Sequence, residues 1–246
     1  MKNILVILTM VLALNTYSQE MVAPGVYKFS DTNDNFTLTK GETTHFSNME
    51  LKVVTLKDSN DEEVISHETK EQMLIIKEGE VKVKLDGETK VVGPNSVIFI
   101  HPDDNCLLKS ETPKTVYYTM IYESKEPVNL ERGLEAGGSF IIDFDELEYK
   151  EHDRGGIRNY FHTKTAMCPY YEMHVTNLNG GIKSHEPHTH HAAEIILIID
   201  GNTEMEIGDS VYQGNKGDVY FATSDIPHAI RNLGDKQCMY FAYQWD

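Results

Sequence analysis

Apolar residues along the chain fall into short runs that are separated by turns rich in glycine and aspartate. One such run is Ile195–Ile199, which lies between Glu194 and Gly201. Other segments alternate apolar and polar residues with a period of two, as strands do when one face is buried. Turns such as Asp86-Gly87 separate these segments. The pattern predicts an all-β fold of short antiparallel strands closed into small barrels.

The same pattern occurs twice along the chain. A shift of 122 residues without gaps places Gln72–Gly79 over Glu194–Gly201, and it places Tyr117 over Met239. A repeat of this kind is typical of two copies of one structural unit. The sequence therefore predicts two tandem barrels.

Histidines and one carboxylate lie just ahead of the apolar run Ile195–Ile199. His188 and His190 are two residues apart, and Glu194 follows four residues later. In a strand, residues two apart face the same side, so both imidazoles can bind one ion. His228 follows a turn-rich segment and is the candidate for a fourth ligand. We predict a metal site of His188, His190, Glu194 and His228, the alternative being a His-rich surface loop without a defined site.

These residues resemble the two signature motifs of the cupin superfamily. The residues that match in spacing are His188, His190, Glu194 and Gly201 in the first motif, and Gly217, His228 and Asn232 in the second. Gly181 lies one residue too far from His188, which leaves the ligands intact. The resemblance implies a two-domain cupin, or bicupin, built from two double-stranded β-helix (jelly-roll) barrels.

The first copy lacks this ligand set. Its equivalent positions hold Ser66, Glu68, Gln72 and Cys106. His67 is one residue out of register, and such a shift in a strand turns a side chain to the opposite face. We therefore expect a single metal site, in the carboxyl-terminal barrel.

The boundaries follow from the repeat and from the amino terminus. Residues 1–18 combine a lysine, a short apolar core and small residues before a cleavage position, which predicts a secretory signal peptide and a periplasmic or secreted protein. The core is too short to span a membrane, so no span is expected after cleavage. We expect a degenerate barrel at 19–123, a connector at 124–156 and the metal-binding barrel at 157–246. The charged end of the connector is interpreted as a solvated surface.

Charge and cysteine content restrict the classes of partner and fold stabilisation. The chain has 39 acidic and 22 basic residues, a net charge of -17, which argues against nucleic acid as a partner. A small-molecule substrate fits better, and a homodimer is expected from the habit of the family. Cys106, Cys168 and Cys238 form either one disulfide and a free thiol or three buried thiols, and we favour the latter.

The predicted ligand set limits which metals could serve as the cofactor. Three imidazoles and one carboxylate suit one divalent transition metal, whether Mn, Fe, Ni, Co or Zn, and leave open positions on a six-coordinate ion. Counting by twos from the ligands places Ile196, Ile198 and Ile230 on the barrel floor. Candidates for substrate contacts near the mouth are Arg231, Tyr220 and Tyr240, with Arg231 suited to a carboxylate.

Three functions remain open at this point, because fold alone does not decide reaction. The first is a redox-neutral metal enzyme, of isomerase, lyase or hydrolase type, acting on a small polar substrate that is carboxylated or derived from a sugar. The second is a dioxygenase similar to quercetinase. The third is a cupin that binds a small molecule or sugar without turnover.

Overall fold

The computed structural model describes residues 20–58 and 61–246, and it consists almost entirely of strands. The predicted signal peptide, residues 1–18, lies outside the described residues. The strands of the first half are β1 (Gly25–Tyr27), β2 (Phe36–Gly41), β3 (Phe46–Leu56), β4 (Glu62–Ser66), β5 (Glu71–Glu78), β6 (Val81–Leu85), β7 (Glu88–Val92), β8 (Val97–Ile100), β9 (Asn105–Ser110) and β10 (Thr115–Ser124).

The second half begins with a connecting segment that contains a short helix. The elements are α1 (Leu130–Glu135), β11 (Phe140–Ile142), a 3-10 turn (Phe144–Glu146), β12 (Lys150–His152), β13 (Gly155–Thr163), β14 (Tyr171–Leu178), β15 (Ala193–Asp200), β16 (Asn202–Ile207), β17 (Ser210–Asn215), β18 (Val219–Ala222), β19 (His228–Asn232) and β20 (Cys238–Trp245).

Each half of the chain forms one barrel from a large and a small antiparallel sheet. The first barrel combines a six-stranded sheet, β11-β8-β5-β10-β3-β2, with a four-stranded sheet, β4-β9-β6-β7. The second combines a seven-stranded sheet, β1-β18-β15-β20-β14-β13-β12, with a three-stranded sheet, β17-β16-β19. The predicted all-β fold of two tandem barrels is confirmed. Across residues 20–58 and 61–246, no helix has the length and apolar character needed to cross a bilayer.

The 122-residue repeat holds along most of the chain and slips by one residue at the end. Ile76 and Ile198 differ by 122 residues, whereas their cross-strand partners Tyr117 and Tyr240 differ by 123. The cause is the connection before the last strand, which spans residues 233–237 in the second barrel and one residue fewer in the first. The gapless placement of Tyr117 over Met239 is therefore wrong by one residue.

The two barrels exchange edge strands. β1 precedes the first barrel but pairs with β18 of the second, with Gly25 opposite Phe221. β11 precedes the second barrel but pairs with β8 of the first, with Phe140 opposite Phe99. Each exchange covers a sheet edge that would otherwise present unpaired backbone groups. Backbone hydrogen bonds therefore tie the two barrels together.

The continuous apolar runs are explained by burial on both faces of the large sheets. In β15, Ile196 and Ile198 pack inside the second barrel, while Ile195 and Leu197 pack between the barrels. β5 divides its side chains in the same way, with Leu74 and its alternates inside the first barrel. A strand buried on both faces needs no polar alternation. The core between the barrels is therefore formed by the outer faces of these strands, and the core of each barrel by their inner faces.

The three cysteines lie in three separate cores. Cys106 is buried in the first barrel, Cys168 between the barrels and Cys238 in the second barrel. All three are free thiols, which confirms the expectation of buried cysteines without a disulfide.

Candidate metal centre

The predicted ligands lie at the mouth of the second barrel. His188 and His228 form a single β-bridge, with His188 N donating to His228 O at 3.3 Å and His228 N donating to His188 O at 3.1 Å. The strand predicted through His188 and His190 is shorter than expected, since His188 pairs only through this bridge and His190 lies outside any strand. Pro187, just before the bridge, has no N–H to donate to a neighbouring strand. His190 is held instead by its carbonyl, which accepts a hydrogen bond from Asp225 N at 2.9 Å.

All four predicted ligands line one cavity, and three of them form a close group. One ring nitrogen from each of His188, His190 and His228 lies within 4.8 Å of the others. Glu194 Oε2 lies 2.8 Å from His228 Nε2 and 3.9 Å from His190 Nε2. The three histidines thus form a cluster, and the carboxylate lies beside two of them.

The hydrogen bonds of the rings suit metal binding. His190 Nδ1 lies 2.8 Å from Ala192 O, and His228 Nδ1 lies 2.8 Å from Ile226 O. A carbonyl only accepts, so each bond holds a proton on Nδ1 and leaves the Nε2 lone pair free for an ion. His228 Nε2 is buried, and its contact with Glu194 is not aligned as a hydrogen bond. A buried imidazole nitrogen without a hydrogen-bond partner fits a metal ligand.

Electrostatics favour a charged carboxylate beside the imidazoles. Burial alone would raise the pKa of the Glu194 carboxyl, but the neighbouring His228 and His190 hold it below its ordinary value. Burial opposes the charged form of His228 as well, and the Glu194 carboxylate outweighs it and raises the pKa of that imidazole. Burial and the adjacent rings lower the pKa of His188. The cluster therefore holds one carboxylate ready to face a cation.

A cavity of about 280 Å³ opens above the four ligands. Its floor includes Ile196 and Ile230, as predicted, while Ile198 packs deeper in the barrel core. Counting residues by twos identified the strand face that points into the barrel. The position of each residue along the strand decides which of these side chains reaches the cavity. Polar residues also line the cavity: His152, Arg154, His174, Thr176, Ser184, His185 and Gln244.

Of the three predicted substrate contacts, the structure brings only Tyr240 to the cavity. Tyr220 is buried in the barrel core, where its hydroxyl donates to Thr203 O at 3.1 Å. Arg231 is paired with Glu204, with Nε 3.3 Å from Oε1. The side-chain period of a strand explains this placement, since His228 and Ile230 line the cavity and Arg231 is one residue out of phase.

Sequence reasoning missed Arg154 and His152, which reach the mouth from the connecting segment. β12 and β13 form a hairpin at the edge of the seven-stranded sheet, with His152 opposite Gly155. The signal in the sequence was the Asp153–Gly156 turn ahead of an alternating strand, which is weak on its own. The charged stretch that ends at Arg154 is mostly exposed, as expected, and two of its residues also line the cavity.

The equivalent position in the first barrel is closed by hydrogen bonds. Both ends of the Gln72 side-chain amide are hydrogen-bonded. Oε1 accepts from His67 Nε2 at 2.8 Å, and Nε2 donates to Thr119 Oγ1 at 2.7 Å. Cys106 is buried, and burial raises its pKa to about 12. Over the described parts of the chain, the three histidines of the second barrel are the one set of three such ligands that come together.

Comparison with known families gives one match in each barrel. Residues 174–243 match the model of the cupin domain, and residues 66–130 match that of the AraC-like ligand binding domain. No curated protein sequence matches the chain significantly.

Solved structures share the fold at low sequence identity. The putative glyoxylate induced protein from Pseudomonas aeruginosa has a TM-score of 0.67 at 14% identity, covering 93% of this chain and 84% of that one. Oxalate decarboxylase from Lactobacillus farciminis, in a formate complex, has a TM-score of 0.64 at 12% identity, covering 91% and 86%. Bacillus subtilis oxalate decarboxylase, studied for its Mn(II) centres, has a TM-score of 0.60 at 12% identity, covering 89% and 79%.

The histidine cluster, the jelly-roll sheets and the cupin-domain match agree with one another. The chain is therefore a two-barrel protein with a cupin domain at residues 174–243, in the barrel that carries a cluster of three histidines of metal-ligand type.

Proposed function

We propose that this protein is a metal-dependent bicupin enzyme that carries out redox-neutral chemistry on a small polar substrate with a carboxylate or a sugar-derived skeleton. The reaction would be of isomerase, lyase or hydrolase type. We also place the mature protein in the periplasm or outside the cell, on the pattern of residues 1–18.

The observation that carries the proposal is the cluster of three histidines, with the Glu194 carboxylate beside two of them, in the lining of an open cavity. His188, His190, Glu194 and His228 would hold one divalent transition metal from below, and the cavity lies on its open side. When bound, such an ion acts as a Lewis acid that polarises a carbonyl or carboxylate oxygen. Four protein ligands leave room for substrate on an ion that prefers six.

The chain's own residues would orient the substrate against that centre. Ile196, Ile230 and Ala242 form an apolar floor that limits water near the ligands. Thr176, Tyr240 and Gln244 provide polar groups on the walls that can bind hydroxyl or carboxyl oxygens. A volume of about 280 Å³ suits a small molecule rather than a polymer.

The comparisons supply small organic acids as the first compounds to test. The structural neighbours include oxalate decarboxylases, one of them in a formate complex. The first barrel matches an AraC-like ligand binding domain, which is in keeping with a small-molecule ligand. At 12 to 14% identity these neighbours share the fold, so their substrates serve only to choose compounds for testing.

The test is an anaerobic screen of the metal-loaded protein. Unsaturated uronates, 2-keto acids and oxalate are incubated with the protein under argon, and products are followed by proton or carbon NMR. Turnover in the wild type that is lost in His190→Ala supports the proposal, provided that the variant keeps the wild-type circular dichroism spectrum. His162→Ala is the matched control, because His162 lies on β13 against Tyr170, outside the cluster.

Two outcomes would refute the proposed chemistry. Product that forms from a flavonol only when dioxygen is present, with oxygen consumption, would assign a dioxygenase. Tight binding of a small molecule with no product from any compound would assign a binding protein. The secretion proposal has its own check, since the mature amino terminus should begin at Gln19.

A further inference from the structure

Arg154 is held over the mouth of the cavity by a tight hairpin. It lies between β12 and β13, and its carbonyl accepts a hydrogen bond from Asn179 N at 2.9 Å. Gly155 has a φ of +135°, and a Cβ there would lie 2.0 Å from Asn177 O. The turn therefore packs directly on the end of β14, which fixes the backbone from which the arginine extends.

The guanidinium group has no carboxylate partner. Nη1 donates to the carbonyl oxygens of Ser184 and, at 3.3 Å, of Lys183. Within residues 20–58 and 61–246, no carboxylate lies within ion-pair distance of Arg154. Arg231, on the same barrel, has Glu204 as its partner at 3.3 Å. Among the described residues, Arg132 and Arg158 also have no carboxylate partner, but Arg132 is bound by carbonyl oxygens, Arg158 packs over two aromatic rings, and neither lines the cavity.

One nitrogen is thus engaged by neutral carbonyls, which leaves further N–H donors of a rigid, planar group at the edge of the cavity. The fork of a guanidinium matches the two oxygens of a carboxylate. The other charged group that lines the cavity is Glu194, which faces the histidine cluster. A divalent ion in that cluster together with Arg154 would give the cavity a net positive charge.

We infer that Arg154 is the residue that selects the substrate by binding its carboxylate, so that the ligand of this cavity is a small carboxylic acid anion. The inference rests on the proposed function in one respect: the reacting end of the substrate is taken to lie at the metal centre. It replaces Arg231 as the recognition residue, and it gives the connecting segment a part in specificity.

The experiment is a binding titration of the full, metal-loaded chain. Galacturonate, oxalate and pyruvate are titrated by calorimetry, with galactose as a neutral probe matched to galacturonate. Loss of a charge-assisted hydrogen bond typically weakens binding by roughly 10- to 100-fold. Arg154→Gln should show such a loss for carboxylates and no change for galactose, while Arg154→Lys should fall between the two. Arg231→Gln, the matched control on the same barrel, should bind as the wild type does.

The outcomes separate this inference from the proposed function. Carboxylate binding that depends on Arg154, in a protein without turnover, upholds the inference while the enzyme proposal fails. Turnover with carboxylate affinity unchanged in Arg154→Gln overturns the inference and leaves the enzyme proposal standing. A wild type that binds none of the three carboxylates more tightly than galactose also overturns it. Melting temperatures of the variants should match the wild type, because the Arg154 side chain is exposed.

Discussion

Replacement of His228 by alanine should abolish the stabilisation that a divalent metal gives to the fold. The side chain is 3% exposed, and its Nε2 lies 2.8 Å from Glu194 Oε2. The variant removes one of the four proposed donors, and the other three are held by other segments of the backbone. It also removes a buried polar group, so the metal-free variant need not match the stability of the metal-free wild type. The informative quantity is therefore the change in melting temperature on adding metal to each protein.

The expected loss of metal affinity follows from the number of ligands. Four-ligand zinc sites contribute about 10–16 kcal/mol, so one ligand accounts for about 2.5–4 kcal/mol, or roughly a 100- to 1,000-fold loss of affinity. Metal at 100 times the dissociation constant stabilises a fold by about 2.7 kcal/mol. For a chain of this size that corresponds to a rise of about 5–11 °C in Tm. At the same metal concentration, the variant should rise by less than about 2 °C.

The assay is thermal unfolding followed by circular dichroism, on protein stripped with a chelator and then titrated with Mn²⁺ or Zn²⁺. Equilibrium dialysis gives the metal content, expected to be near one per chain and close to zero in the variant at low metal concentration. His162→Ala should behave as the wild type does. The reasoning is refuted if His228→Ala shows the full rise in Tm, or if neither metal stabilises the wild type.

Three further predictions concern the structure that supports the site. Burial raises the pKa of the Glu71 carboxyl, so the folded chain binds this proton more tightly than the unfolded chain. The contribution of this carboxyl to stability should therefore fall as the pH rises above 4.5, its ordinary pKa, towards its raised pKa in the folded chain. In urea unfolding, the free energy of unfolding of Glu71→Gln, which does not titrate, should increase relative to that of the wild type over this rise in pH. Asp218 accepts hydrogen bonds from Phe29 N and Lys28 Nζ, both at 2.9 Å, and Asp218→Asn should cost about 1–3 kcal/mol and raise amide exchange in β1. Asn232 Nδ2 donates to Leu178 O at 2.9 Å and to Lys236 O at 2.7 Å, so Asn232→Ala should lower stability by about 2–4 kcal/mol while calorimetry shows unchanged metal affinity.

The candidate ligands could be predicted from the sequence because three of them are close together in it. His188, His190 and Glu194 lie within seven residues of one another, and His228 opens β19 after a turn-rich segment. The apolar runs were equally readable, since burial on both faces of a strand leaves no polar alternation. The periodicity of the strands then assigned Ile196 and Ile230 to the cavity side.

Contacts between distant segments could not be predicted in the same way. Arg231 and Tyr220 were reasonable by residue type, but their partners Glu204 and Thr203 come from β16, and pairing of β16 with β19 is a tertiary event. A one-residue difference in the connection before β20 also breaks the simple repeat. Register changes of this size reverse which side chains share a face.

The sequence by itself determined the class of fold and the two copies, and it predicted the three histidines that the structure brings together, because strand periodicity and ligand spacing are properties of neighbouring residues. Only the tertiary structure decided which residues surround those ligands. β1 and β11 join the sheets of the opposite barrels, and the hairpin of β12 and β13 brings Arg154 to the mouth. These placements depend on which sheet edges meet when the two barrels pack, and that choice is made by the whole fold rather than by any local segment.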